Sequence, residues 1–268
     1  MIDRDGIERP DETSEHIIPL HTKKNAFRIT EKTYKRRNFF YRIFARFILV
    51  LASCVLIPFS KFFMRARVHG RKNLRSVKKS GAVIICNHCH HLDITLVVAR
   101  VSPIKRVWVT ALRSNFDIPF ARTLLRALGG IPIPEDRKNM PYFMNGMDEL
   151  LRRKQFLAFM PEVALWPYYR GLRPFKVSAF RFAAKNDKPV VPIAITFRLK
   201  TKRKSSGKIK RKYIMEYNVL PPVYPLQDND TPTNSEYLMN KVHDDMNKLI
   251  ETKNKENDER EYERNRKQ

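Results

Sequence analysis

Ala82-Val83-Ile84-Ile85-Cys86-Asn87-His88-Cys89-His90-His91-Leu92-Asp93 decides how this chain is read. The first five residues are apolar and unbroken. That is the pattern of a strand covered on both faces, not of one that alternates between core and water. The last seven carry three histidines, a cysteine and an aspartate. A strand that runs into a histidine sets the imidazole at the edge of a sheet, where a substrate reaches it. An aspartate one loop turn on bonds the second ring nitrogen and holds the tautomer. His88 and Asp93 therefore read as a general base and its orienter. No obvious protein nucleophile accompanies them, so the attacking group is expected to come from the substrate.

Outward from this segment, strands and helices alternate. A helix is predicted over Ile94–Arg100, a strand over Val107–Thr110, and a helix over Phe120–Leu128 that Gly129-Gly130 stops. Ile131-Pro132-Ile133-Pro134 reads as extended, because each proline disfavours helix in the residue before it. Met144–Lys154 reads as a helix, Phe156–Met160 as a strand, and Phe175–Lys185 as a helix with Phe175, Ala179, Phe182 and Ala183 on one side. Val190–Thr196 is a buried strand. The alternation predicts an α/β fold with a mostly parallel central sheet flanked by helices. Arg198 to Lys212 carries nine lysines and arginines and no acid around Ser205-Ser206-Gly207, the pattern of a hairpin with a basic tip. A strand over Tyr213–Tyr217 and a helix over Tyr237–Ile250 follow.

Four stretches result: a polar lead-in over residues 1–37, a membrane anchor over 38–67, a globular domain over 68–250 and a polar tail over 251–268, expected to be frayed or a solvated helix. The first apolar stretch starts too late for a cleavable signal peptide. Phe47 to Phe59 is free of charge for 13 residues, short of the roughly 20 that span a bilayer. Basic residues flank both ends and aromatics crowd the boundaries, as at a membrane interface, where long cationic side chains snorkel. An N-terminal hydrophobic anchor helix, interfacial or re-entrant, is predicted; an ordinary core helix is the plain alternative.

The 268 residues allow one large α/β domain or two small ones. A formal charge of +26 and a pI near 10.2 call for an anionic partner: nucleic acid, an anionic membrane surface or phosphorylated substrates. With 8 glycines and neither G-x-G-x-x-G nor G-x-x-x-x-G-K-[ST], no glycine-rich phosphate loop is expected. Three cysteines give no disulfide framework and point to a reducing compartment. Cys86-Asn87-His88-Cys89 is a C-x-x-C, but Cys86 falls in the apolar strand register, where cysteine is a small hydrophobe. A metal-dependent hydrolase using His88, His90 and Asp93 is a competing reading. His243 is the only later histidine, too little for a zinc site, so no metal is expected. A basic, non-enzymatic membrane- or nucleic-acid-binding protein is the other. The run 198–212 lacks interleaved aromatics for base stacking, which speaks against specific nucleic acid. Anionic lipid, or the acidic carrier or coenzyme A phosphates of an acyl donor, suits it better.

Asn87-His88-x-x-x-x-Asp93 resembles the first block of the glycerolipid acyltransferase family, which includes lysophosphatidate and glycerol-3-phosphate acyltransferases. Three further blocks follow in order. Gly129-Gly130-Ile131-Pro132-Ile133-Pro134, with Arg137 behind it, is similar to the second. Phe159-Met160-Pro161-Glu162 and Leu172-Arg173-Pro174-Phe175-Lys176 are similar to the third, and Val190-Val191-Pro192-Ile193-Ala194 to the fourth. The resemblance implies a glycerol-phosphate acyltransferase-like fold. It implies an O-acyltransferase that moves a fatty acyl group from an acyl thioester, acyl-CoA or acyl-carrier protein, to a hydroxyl of a lysophospholipid such as 1-acylglycerol-3-phosphate, in phospholipid biosynthesis or remodelling. It also implies membrane association at the cytoplasmic face and no cofactor beyond the thioester co-substrate. His88 is then the base, Asp93 its orienter, Arg137, Glu162, Arg173 and Lys176 contacts to the acceptor, and Pro192 a neighbour of the acyl channel. Backbone N–H groups at the start of the helix after His88 are the expected oxyanion donors. One block departs from the pattern. Where the family has Gly-Thr-Arg after the glutamate, this chain has Val163-Ala164-Leu165, so an arginine suited to bidentate phosphate binding is absent. Trp166, Arg170, Arg173 and Lys176 are the nearby candidates for a different anion site.

Overall fold

The structure, a computed structural model, describes residues 8, 10, 27–35, 37–97, 106–203 and 209–266. Its strands are β1 (Arg67–His69), β2 (Ala82–Cys86), β3 (Val107–Leu112), β4 (Gly130–Ile133), β5 (Phe156–Phe159), β6 (Val190–Arg203) and β7 (Ile209–Val219). They form one sheet in the order β1-β7-β6-β2-β5-β3-β4. Every neighbouring pair is parallel except β6 and β7, which form an antiparallel hairpin. The predicted mostly parallel sheet is present, and the predicted basic hairpin is its long antiparallel arm; the tip, 204–208, lies outside the described residues.

The described helices are α1 (Glu31–Tyr34), α2 (Phe39–Pro58), α3 (Arg71–Ser76), α4 (Asp93–Leu96), α5 (Pro119–Leu128), α6 (Met140–Arg152), α7 (Ser178–Lys185) and α8 (Thr231–Arg266). β2 lies between β5 and β6 and is buried along its whole length. Ala82, Ile84 and Cys86 face a layer with Leu74, Leu96 and Tyr217. Val83 and Ile85 face the opposite layer, built from α6, α7 and α8 through Met147, Phe180 and Val242. Core on both faces is why its sequence is apolar throughout instead of alternating.

Several boundaries shift for physical reasons. α6 starts at Met140, ahead of the predicted Met144, because Pro141 sits in the first turn, where its missing N–H leaves no bond unmade. α7 starts at Ser178 and not at Phe175, because the Lys176 N–H donates to the Pro161 carbonyl (3.0 Å) and holds that stretch as loop. The predicted helix over Ile94–Arg100 is described only as α4; residues 98–105 lie outside the described residues.

The described parts of the lead-in and the tail are more ordered than their composition suggests. α8 runs unbroken to Arg266, well past Ile250, and buries Asn254 and Asn257. The Asn257 amide donates to the Phe197 carbonyl (3.2 Å) and that of Asn254 to the Arg170 carbonyl (2.7 Å). Residues 27–34, within the polar lead-in, are docked: the Phe27 N–H donates to Asp117 Oδ1 (2.8 Å), and the Tyr34 hydroxyl donates to the Pro132 carbonyl (2.9 Å).

α2 passes into a π-helical turn, Phe59–Phe63, so the helical rod has 25 residues, with a mean hydropathy of 2.2 over its most apolar 18. At about 1.5 Å per residue it is roughly 37 Å long, enough by length and composition to cross a membrane. It exceeds the charge-free Phe47–Phe59 because Arg42 and Arg46 interrupt the apolar run without interrupting the helix. Ala45, Leu49 and Ser53 are buried, and the helix packs on α5. Phe39, Phe40, Ile43, Phe47, Val50 and Val55 stand exposed.

Candidate active site

Where β2 ends, Asn87 carries the sheet one step further. Its Oδ1 accepts from the Ile195 N–H (2.7 Å) and its Nδ2 donates to the Ile195 carbonyl (3.1 Å), which replaces the next rung between β2 and β6. The backbone is thus free to turn, and His88 leaves the carboxyl edge of the parallel strands, the edge at which such sheets bind ligands.

His88 Nδ1 lies 2.8 Å from Asp93 Oδ2. The same oxygen accepts the N–H groups of Cys89 (3.1 Å) and His90 (3.3 Å), and Asp93 is wholly buried. An ionised carboxylate only accepts, so Nδ1 carries the proton in this pair and Nε2 keeps its lone pair. The His88 side chain is 18% exposed and lies on the wall of a cavity of about 670 Å³.

A second loop, between β5 and α7, braces the first. Glu162 Oε2 accepts the His88 N–H (2.7 Å) and pairs with Arg173 Nη2 (3.0 Å), and its Oε1 accepts the Arg173 N–H (2.8 Å). Arg173 also donates to the Ala164 carbonyl and lies over the Trp166 ring at 4.6 Å. The Trp166 N–H donates to the His88 carbonyl (3.1 Å) and the Tyr168 N–H to that of Cys89 (2.7 Å). The Glu162–Arg173 side chains are 2% and 1% exposed. Both, expected as contacts to the acceptor, lie behind the loop and off the cavity wall, with Glu162 bonded to the His88 N–H.

The cavity walls are mainly apolar: Leu49 and Leu56 of α2, Leu125 of α5, Phe143 and Met144 of α6, and Phe159. Two cations face it, Lys176 and Arg181, both exposed. Lys176 was expected there. Arg181 was missed: on the polar side of an amphipathic helix, a basic residue that faces a cavity has the same sequence signature as one that faces water. Arg137 is exposed in the turn between β4 and α6, and Pro192 is buried in β6 opposite Ile85; neither is on the wall. Of the predicted set, the cavity brings together His88, Asp93 and Lys176, and not Arg137, Glu162, Arg173 or Pro192.

Several of the amides expected as oxyanion donors are already engaged. Those of Cys89 and His90 serve Asp93 Oδ2, that of Ile94 serves Asp93 Oδ1 (2.6 Å), and that of Leu92 donates to His90 Nδ1 (3.0 Å). Lys176 and Arg181 are the cations left to meet negative charge in the cavity. Val163 and Leu165 also line it. Val163 has φ +67°, a left-handed conformation that suits glycine and is costly for a β-branched side chain. Cys86 and Cys89 are buried free thiols, and burial, with Asp93 adding to it, pushes both well above the usual thiol range. Such thiols stay protonated, the opposite of a reactive pair. Among the described residues, no group of three His, Cys, Asp or Glu side chains gathers as a metal site requires.

Residues 65–196, a span that holds all four sequence blocks, match the acyltransferase family and form an acyltransferase domain. The chain is 29% identical over 181 residues to 1-acyl-sn-glycerol-3-phosphate acyltransferase BAT2, chloroplastic, of Brassica napus. That alignment covers 67% of this chain and 48% of the relative, so the chain spans about half the length of the protein it matches. The fold resembles the crystal structure of the 1-acyl-sn-glycerophosphate (LPA) acyltransferase PlsC of Thermotoga maritima. The TM-score is 0.55 at 17% identity, over 81% of this chain and 85% of that one.

Proposed function

We infer that the protein transfers a fatty acyl group from a thioester, acyl-CoA or acyl-carrier protein, to a hydroxyl of a lysophospholipid of the 1-acylglycerol-3-phosphate type. The observation that carries this is the His88–Asp93 pair, fixed at 2.8 Å on the wall of an apolar cavity of about 670 Å³. His88 Nε2 takes the proton of the acceptor hydroxyl as its oxygen attacks the thioester carbonyl, and Asp93 stabilises the imidazolium. The carbon–sulfur bond then breaks, and the thiolate leaves with the proton that His88 returns. The sequence so balanced needs no metal and no organic cofactor. The apolar cavity takes the acyl chain.

Lys176 and Arg181 hold the acceptor phosphate in place of the arginine that Leu165 displaces. Arg137 stands apart from this pair. Lys176→Gln and Arg181→Gln, assayed with labelled acyl-CoA against a panel of lysophospholipids, should each raise the KM for lysophosphatidate about tenfold, the effect of losing one charge-assisted hydrogen bond. They should leave the KM for acyl-CoA unchanged. Unchanged KM for the acceptor in both variants would remove the phosphate assignment.

Membrane association follows the bare face of α2. A helix that packs on α5 along one side cannot be surrounded by lipid, so α2 lies in the interface with its phenylalanines immersed. The proposed thioester donor and the chain's strong positive charge support a position on the cytoplasmic face, where anionic lipid is concentrated.

A further inference from the structure

A second cavity, of about 710 Å³, lies where α1 and the first half of α2 meet the amino ends of β3, β4 and β5. His88 follows the carboxyl end of β2, so this groove and the catalytic pair occupy opposite edges of the parallel strands. Arg37, Arg42 and Arg46 line it from the α2 side, and Arg106, Arg126 and Arg153 from the domain. Glu149 is its one carboxylate, and that group is paired outward with Arg152 (3.1 Å).

The cations are built into the wall. Arg106 Nη2 donates to the Ala127 carbonyl (2.8 Å) and Arg126 Nη2 to that of Thr33 (2.8 Å). Burial pulls both guanidinium groups below their ordinary range. Arg46 adds to this at Arg106, where Tyr41 opposes it, and Arg37 and Arg122 add to it at Arg126, where Tyr41 and Tyr34 oppose it. Arginines that disfavour one another's charge are relieved by an anion, and the planar fork of guanidinium matches phosphate oxygens. The remaining wall is apolar. Ile43, Phe47 and Val50 line the groove, and the exposed face of α2 continues from them. A ligand with a phosphate head and apolar chains complements both parts; a free phosphate or a nucleotide complements only one.

We propose that this groove holds the phosphate head of an anionic phospholipid of the surrounding membrane, with its chains along the bare face of α2, and so fixes how the cavity beside His88 meets the bilayer. The assignment rests on the interfacial placement of α2 under Proposed function. The test is flotation of the full chain on phosphatidylcholine vesicles with and without phosphatidylglycerol, comparing Arg37→Gln/Arg42→Gln with Lys248→Gln/Lys255→Gln, which removes equal charge from exposed positions of α8 outside the groove. The groove pair should lower affinity for the anionic vesicles about tenfold or more, and the control pair far less. Equal losses would mean that net charge reads the membrane, and would overturn the proposal. So would displacement of the wild-type chain by coenzyme A at concentrations that saturate turnover, which would make the groove a nucleotide-phosphate site. Turnover of a water-soluble short-chain thioester in detergent separates the two readings. The groove pair should match wild type there, and its selective loss would place the groove in the reaction and sink the lipid assignment. Failure of the wild-type chain to turn over would refute acyl transfer while the vesicle result stood.

Discussion

At the scale of single residues, the site depends on how two loops share their hydrogen bonds. Glu162 spends both carboxylate oxygens on the His88 and Arg173 backbones and on the Arg173 guanidinium, out of contact with water. Breaking a buried pair leaves one charge uncompensated, at a cost of about 3–5 kcal/mol. Glu162→Gln should therefore lower the melting temperature sharply, whereas His88→Ala should not; equal melting temperatures would contradict the bracing role. Val163 is the converse case. A β-branched side chain held at φ +67° is strained by about 1–2 kcal/mol, and it stands where the family carries glycine. Val163→Gly should raise the melting temperature by about 2–4 °C after the entropy of the freer unfolded chain is counted. A fall would mean that the side chain's place on the cavity wall outweighs the strain. His88 and Asp93 were legible because a strand end followed by H-x-x-x-x-D fixes a distance. The contacts of Glu162 and Arg173 were not, because a carboxylate that grips backbone and one that grips substrate are spelled the same way. Arg181 was hidden for a similar reason: periodicity shows which face of α7 is polar but not what that face looks onto.

At the scale of elements, β2 announced itself, and so did the alternation that makes the sheet parallel. Helix ends did worse, since Pro141 and the loop bond of Lys176 depend on neighbours far along the chain. α8 was understated because amides fill its last turns: Asn254 and Asn257 bury polar groups against Arg170 and Phe197, a form of packing that hydrophobic periodicity does not register. α2 was understated because charges on one side of a helix break an apolar run without breaking the helix. Its placement is testable through the cysteines. Cys54 is exposed on α2, while Cys86 and Cys89 are buried with raised thiol pKa values. In detergent-free buffer, one thiol per native chain should react with an impermeant maleimide and three after denaturation. Bound to vesicles, Cys54 should become protected if α2 lies in the interface. Continued labelling at the free rate would put that face in water.

At the scale of the whole molecule, the parallel strands separate two tasks. Their carboxyl edge presents the His88–Asp93 pair, two cations and an apolar cavity, and their amino edge presents an arginine-lined groove against the same helix, α2. The charge of +26 was visible from composition, but its division between these places was not, because spacing along a chain does not show which arginines converge across 100 residues of fold. The central claim is that His88 drives acyl transfer to a lysophospholipid. The measurement that tests it most directly follows radiolabelled acyl-CoA into lipid product with lysophosphatidate as acceptor, for the wild-type chain and for His88→Ala of equal circular dichroism and melting temperature. Labelled diacyl product from the wild type and a loss of roughly a thousandfold in the variant are predicted, as expected for removal of a general base. Product formed equally by both, or by neither, would contradict the account.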